Sequence, residues 1–150
     1  MKSLEQPAVT NEVRQRLAAL RPDSKRLWGK MSAAGAICHL SDAFLLALGE
    51  KHASDISNWF SRSIMKFGGL YLPLKWPPGV PTRPEMEQGV GGTKPVDFER
   101  DRLQLLQLID RFVKADFAGV THPIFGRMSQ RDWLRWGYLH LDHHLRQFGQ

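Results

Sequence analysis

The chain has 150 residues, a length that fits one domain with a single sizeable core, so residues 1–150 are expected to fold as one unit. With 42% hydrophobic and 24% charged residues, it reads as an ordinary soluble globular protein and not as a disordered chain. The net charge of +6 raises nucleic acid as a partner, but the basic residues are dispersed from Arg21 to Arg146 without a stripe or a reading motif, so nucleic-acid binding is not expected.

Residues 1–20 lack a basic start followed by an apolar stretch and a small-residue cleavage site. No run approaches ~18 consecutive apolar residues, so no membrane association is expected and the cytoplasm is the expected location. The single cysteine, Cys38, cannot form an internal disulfide framework, which agrees with a reducing compartment.

In chain order, the first helix is expected from Thr10 or Asn11 as N-cap, with Val13, Leu17 and Leu20 at helical spacing and Pro22 after it. The second spans about Ser32 to Leu48, free of proline, with Gly49 in the capping position. A shorter helix over 57–70 is expected to end at Gly68-Gly69. Six of the nine prolines then fall between Tyr71 and Pro95, and no regular element is expected there. That segment is either a floppy insertion or an ordered lid, with Trp76 as a docking residue.

A further helix is expected from about Val96 to Phe117, because Phe98, Leu105, Leu108, Ile109 and Phe112 share one stripe. After a turn-rich connector, Ser129 can cap a last helix running to about Phe148. Four principal helices without convincing strands predict an all-α fold, an antiparallel four-helix bundle with a long Pro/Gly-rich crossover loop.

At about 100° per residue, His140 shares a face of the last helix with Trp133, Trp136, Gly137, His144 and Gln147. Asp142 lies opposite, four residues before Arg146, as an exposed pair. Two imidazoles on an inward face need partners for their nitrogens. The H-x-x-x-H spacing lets His140 and His144 point at one ion, or else they are two satisfied or partly exposed histidines near a chain end. His143 sits at the margin of the face, where a hydrogen bond or solvent would satisfy it.

Two ligands seldom make a tight site, and the candidate third is His39, flanked on its helix face by Ser32, Gly35, Ala36 and Ala43. A lone histidine there would read as a hydrogen-bonded core residue. Asp42, three residues on, either orients His39 or is solvated at the helix surface, and Gln147 can steer a ligand or water from beside His144. Cys38 points away from His39 and reads as a buried filler. His122, before Pro123, is read as fixing its connector through a backbone hydrogen bond, with substrate contact as the other option. His52 is expected to be exposed, and the five tryptophans to anchor the core and loop.

The stretches "LWGKM" (27–31), "CHLSDAF" (38–44), "LPLKWPPGVPTRPE" and "HPIFGRMSQRDWLRWGYLHLDHHLRQFG" (122–149) resemble the DinB/YfiT-like metal-binding superfamily, in its uncharacterised bacterial branch. That resemblance covers nearly the whole chain. It implies a four-helix bundle with a three-histidine metal site carried by His39, His140 and His144, holding a divalent ion such as nickel or zinc. Some members of that superfamily are thiol-dependent transferases or isomerases.

The function expected is a metal-dependent enzyme, a hydrolase or a thiol S-transferase, acting on a small molecule or a low-molecular-weight thiol. No catalytic residue beyond the metal set is assigned. The alternative is a noncatalytic metal-binding bundle that serves as a structural, sensor or dimerisation module, which leaves a homodimer open.

Overall fold

The computed structural model describes residues 1–79 and 82–150. Val80 and Pro81, inside the proposed crossover loop, lie outside the described residues. Among the described residues the chain forms five α-helices: α1 (Pro7–Ala19), α2 (Ala33–Ala47), α3 (Lys66–Tyr71), α4 (Phe98–Lys114) and α5 (Gln130–Gln147). A small antiparallel hairpin, β1 (Thr121–His122) with β2 (Gly126–Arg127), precedes α5. The expectation of no strands is corrected here: Gly126, at φ +66°, supplies the left-handed turn conformation that closes the hairpin.

Local chemistry sets the helix ends. The first helix starts earlier than expected, because Pro7 occupies its first turn, where a missing N–H costs nothing. Thr10 is therefore inside α1, and its hydroxyl donates to the Leu4 carbonyl at 3.1 Å. Ser32 caps α2 by accepting from the Gly35 N–H, and Gly49 follows the helix at φ +76°.

The third helical segment does not end at its glycines. Asn58 and Ser61 cap each other, a π-helical stretch (Ser61–Met65) follows, and α3 continues through Gly68 and Gly69 to Tyr71. Leu72 turns extended, as a residue before proline prefers.

Asp97 caps α4, which stops at Lys114 and not at Phe117. Gln130 takes over there, accepting from the Phe117 N–H and donating to the Ala115 carbonyl. The freed Phe117 folds into the core and stacks on Trp133 at 5.3 Å. The start of α5 carries a reciprocal cap between Ser129 and Asp132.

Helix α2 packs against α4, and α5 packs against α1, α2 and α3. The last helix is thus central and buried on more than one side, which corrects the single inward face expected for it. Tyr138, Leu141 and Leu145 are buried, and toward α2 and α4 the helix presents Trp136, whose ring meets Phe44 and Phe112 at 6.3 Å each. Gly137 allows the closest approach: a Cβ there would stand 2.8 Å from the Phe112 ring. Asp142 is not an exposed partner, since it binds both Arg146 (2.8 Å) and Arg16 of α1 (2.9 Å) and is half-buried. No helix is long and apolar enough to cross a membrane, among the described residues.

Candidate metal centre

Helices α2 and α5 bring His39, His140 and His144 together although 101 residues separate the first two. One ring nitrogen from each lies within 4.8 Å of the others. The closest pair is His39 Nε2 and His140 Nε2, at 3.1 Å.

Two of the three tautomers are set by neighbours. His39 Nδ1 lies 3.0 Å from the Met86 carbonyl, which can only accept, so Nδ1 carries the proton and Nε2 the lone pair. His144 Nδ1 faces Gln147 Oε1 at 3.1 Å, while Gln147 Nε2 donates to the Trp28 carbonyl at 3.0 Å. That second bond orients the amide, so the oxygen faces His144 and His144 Nε2 is left with its lone pair. His140 Nδ1 is buried and has no partner among the described residues.

Burial pushes all three imidazoles below their ordinary pKa. For His140 and His144 the drop is large, because mutual repulsion among the clustered rings adds to desolvation. For His39 burial again leads, partly opposed by its bond to Met86. All three are neutral near pH 7, the form that coordinates a cation.

The donor set suits a divalent ion. Neutral imidazoles serve zinc and nickel, and nitrogens at ~2.0–2.1 Å from one tetrahedral zinc stand about 3.3 Å apart, close to the His39–His140 spacing. With no ion between them, the lone pair on His39 Nε2 either opposes a second lone pair or accepts a proton from His140 Nε2. Either arrangement leaves His140 Nδ1 unsatisfied.

The centre opens into a cavity of about 480 Å³, within the range of small-molecule sites. Its wall is largely apolar, including Met65, Leu74, Trp76, Phe125 and Trp136, with His122, His143, Lys75 and Arg83 as polar members. No carboxylate lines it, among the described residues. A separate depression beside α4, lined by Glu50, Arg100 and Arg111 among others, contains no histidine.

The described parts of the 71–95 segment are tied down beside this cavity. Trp76 Nε1 donates to the Gly69 carbonyl (2.8 Å), and the Trp76 carbonyl accepts from His143 Nδ1 and from Arg146, each at 3.3 Å. At the far end Thr93 donates through its N–H and its hydroxyl to Asp42. Asp42, fully buried and paired with Lys51 at 2.8 Å, therefore holds the loop. Neither reading from sequence fits it, because it is not solvated and it makes no hydrogen bond to His39.

The family described as "Protein of unknown function (DUF1569)" matches residues 1–150. The chain belongs to that family. Neither the comparison with curated proteins nor that with solved structures returned a match.

The other singled-out residues of this DUF1569 chain fall into place around the centre. His143 makes the hydrogen bond expected of it, Gln147 steers the His144 ring, and His122 accepts two backbone N–H groups. Cys38 is a buried thiol beside Asp101, pushed up to about 12 by burial and then by that carboxylate. His52 is exposed as expected. Trp59, 74% exposed and just before the π-helical stretch, is no core anchor. The carbonyls of Trp28, Trp76 and Met86 were missed, because a backbone acceptor leaves no mark in residue identity.

Proposed function

We propose that His39, His140 and His144 hold one divalent cation, zinc or nickel, and that the protein is a metal-dependent enzyme of the hydrolase or thiol S-transferase type. In this reading the helices form a bundle of the DinB/YfiT type, with the 71–95 segment as its crossover. One observation carries the proposal: imidazole nitrogens from α2 and α5 converge, two with lone pairs set by hydrogen bonds, at the end of an open apolar cavity.

When bound, such an ion acts as a Lewis acid and lowers the pKa of a coordinated water or thiol. The chain's own groups supply the rest. His143 donates a hydrogen bond from Nδ1–H to the Trp76 carbonyl and so keeps a lone pair on Nε2, and burial holds it neutral at pH 7. It is the group we assign as proton acceptor, a role for which the cavity wall offers no carboxylate among the described residues. Trp76 and the apolar wall exclude water from a bound substrate. The cavity favours an enzyme over a noncatalytic module, since a structural ion is enclosed by protein ligands and has no need of one.

The test is elemental analysis of protein purified without a histidine tag, beside a His39→Ala/His140→Ala variant. About one ion per chain in the parent and none in the variant is expected. Hydrolysis of 4-nitrophenyl acetate, and transfer of a low-molecular-weight thiol to an aryl halide, then separate the readings. An ion present in full with neither activity would favour the noncatalytic module, and equal metal content in both proteins would remove the site.

A further inference from the structure

His122 lies in the hairpin before α5, opposite Gly126 in the register. Pro123 follows it and has no N–H, so the next two backbone donors, Ile124 and Phe125, both reach back to His122 Nδ1 at 3.1 Å. A nitrogen that accepts two N–H groups carries its lone pair, and the proton of the neutral ring is then on Nε2. Protonation of Nδ1 would break both bonds, and burial by itself takes the ring down to about 3.

The ring is also held in place. It is 6% exposed, stacks on Phe125 at 4.8 Å and meets Trp136 edge-on at 5.2 Å. Its hydrogen bonds among the described residues are those to Nδ1, which leaves Nε2–H without a protein partner in a ring that lines the cavity. The donor is thus fixed in tautomer and orientation at the wall of an apolar cavity, where a ligand oxygen that reaches it gains a hydrogen bond.

We propose that the cavity binds a molecule with an apolar body and a carbonyl oxygen, and that His122 Nε2–H donates a hydrogen bond to that oxygen. This deepens the enzymatic reading of the three-histidine centre and names its substrate class. The apolar part lies against Leu74, Trp76 and Phe125, and the carbonyl is turned toward His122. Lys75 and Arg83 in the same wall, with no carboxylate among its described residues, make a cationic ligand unfavourable. His143 faces the same cavity with the opposite capacity, a lone pair, so donor and acceptor roles are divided between two histidines by the carbonyl or N–H groups that each one meets.

The test uses full-length, chelator-treated protein, so its result does not depend on whether an ion binds; metal loading is measured separately. Acetophenone and its shape-matched hydrocarbon 2-phenylpropene are titrated while the side-chain nitrogen signals of His122 are followed by NMR. Free protein should show Nε2 protonated and Nδ1 bare down to pH 5. Acetophenone should bind roughly three- to tenfold tighter than 2-phenylpropene and should shift the Nε2 signal, which the hydrocarbon leaves in place.

In His122→Asn the side-chain oxygen keeps an acceptor for the Ile124 and Phe125 N–H groups, while the amide NH2 on the shorter side chain no longer reaches the position of Nε2–H, and the preference for acetophenone should vanish with the fold intact. A preference that persists in this variant, an Nδ1-protonated ring, or no binding of either probe would overturn the proposal. Should the variant unfold, the NMR measurement on the parent protein decides alone.

Discussion

Replacing Gln147 by leucine removes the acceptor of His144 Nδ1–H and the donor to the Trp28 carbonyl, while all three histidines stay in the chain. In the parent, the amide keeps the His144 proton on Nδ1 and the lone pair on Nε2. In the variant the ring is free to place its proton on Nε2, where it blocks coordination, and to rotate away from His39, 4.8 Å distant by ring centroid. Loss of a hydrogen-bond partner behind a ligating histidine costs 10- to 100-fold in metal affinity, or about 1.4–2.8 kcal/mol.

A second cost falls on the fold. The Trp28 carbonyl loses its bond, worth about 1 kcal/mol, while the backbone bond from Leu27 N to the Gln147 carbonyl at 2.7 Å keeps the 27–29 segment in place. Isothermal titration with zinc on the two proteins, with melting curves of the metal-free forms, separates the two effects. The expected outcome is a 10- to 100-fold weaker dissociation constant and a metal-free stability lower by about 1 kcal/mol. Unchanged affinity in a variant that is destabilised would refute the assignment of His144 as a ligand held by Gln147.

Acid should unfold the metal-free protein earlier than carboxylate titration alone would. The buried histidines have folded-state pKa values below the unfolded value of about 6.5, so their contribution is complete above that pH and is lost as pH falls toward the folded values; His122, held at about 3, gives a slope of about 1.4 kcal/mol per pH unit below 6.5, read from urea melts between pH 7 and 5. Asp42→Ala should cost about 3 kcal/mol and expose the 76–93 segment to limited proteolysis, since it leaves Lys51 and Thr93 without their buried partner. Gly137→Val should cost about 1–3 kcal/mol by chemical denaturation, because its Cβ would meet the fully buried Phe112 at 2.8 Å. Cys38 should resist thiol reagents in the native state and react fully in denaturant, as a buried thiol at about 12 must.

The parts of the fold legible in the sequence were those with strong local periodicity. The Leu105–Ile109–Phe112 stripe and the Ser129 cap placed α4 and α5 to within a few residues, and Ser32 and Gly49 bounded α2. The misses have physical causes. Pro7 is an N-terminal signal as well as a breaker, and reading Thr10 as a cap ignored it. The hairpin at 121–127 is too short for an alternating pattern to register, and the glycine pair at 68–69 is carried inside α3. The clustering of His39, His140 and His144 was legible because the i, i+4 spacing and a small-residue face on α2 are both local facts, beside the resemblance that named the same three residues. What Asp42 binds was not, since Thr93 and Lys51 reach it only after the loop has closed.

His140, His143 and His144 lie on α5, which packs against α1, α2 and α3, and that position explains the hydrogen bonds gathered around them. Helix α5 also buries Tyr138, Leu141 and Leu145, and a polar cluster on such a helix would weaken the core unless its nitrogens were satisfied. Met86, Gln147 and Trp76 answer that demand at the Nδ1 atoms of His39, His144 and His143, two of them from the loop that covers the cavity. These outer bonds leave lone pairs on Nε2 of His39 and His144, so the requirement that stabilises the buried rings also leaves them in the form that the proposed cation would need. The loop, held at one end by Trp76 and at the other by Asp42 and Thr93, is therefore part of the centre's scaffold, and loosening it at Asp42 should weaken metal binding as well as stability.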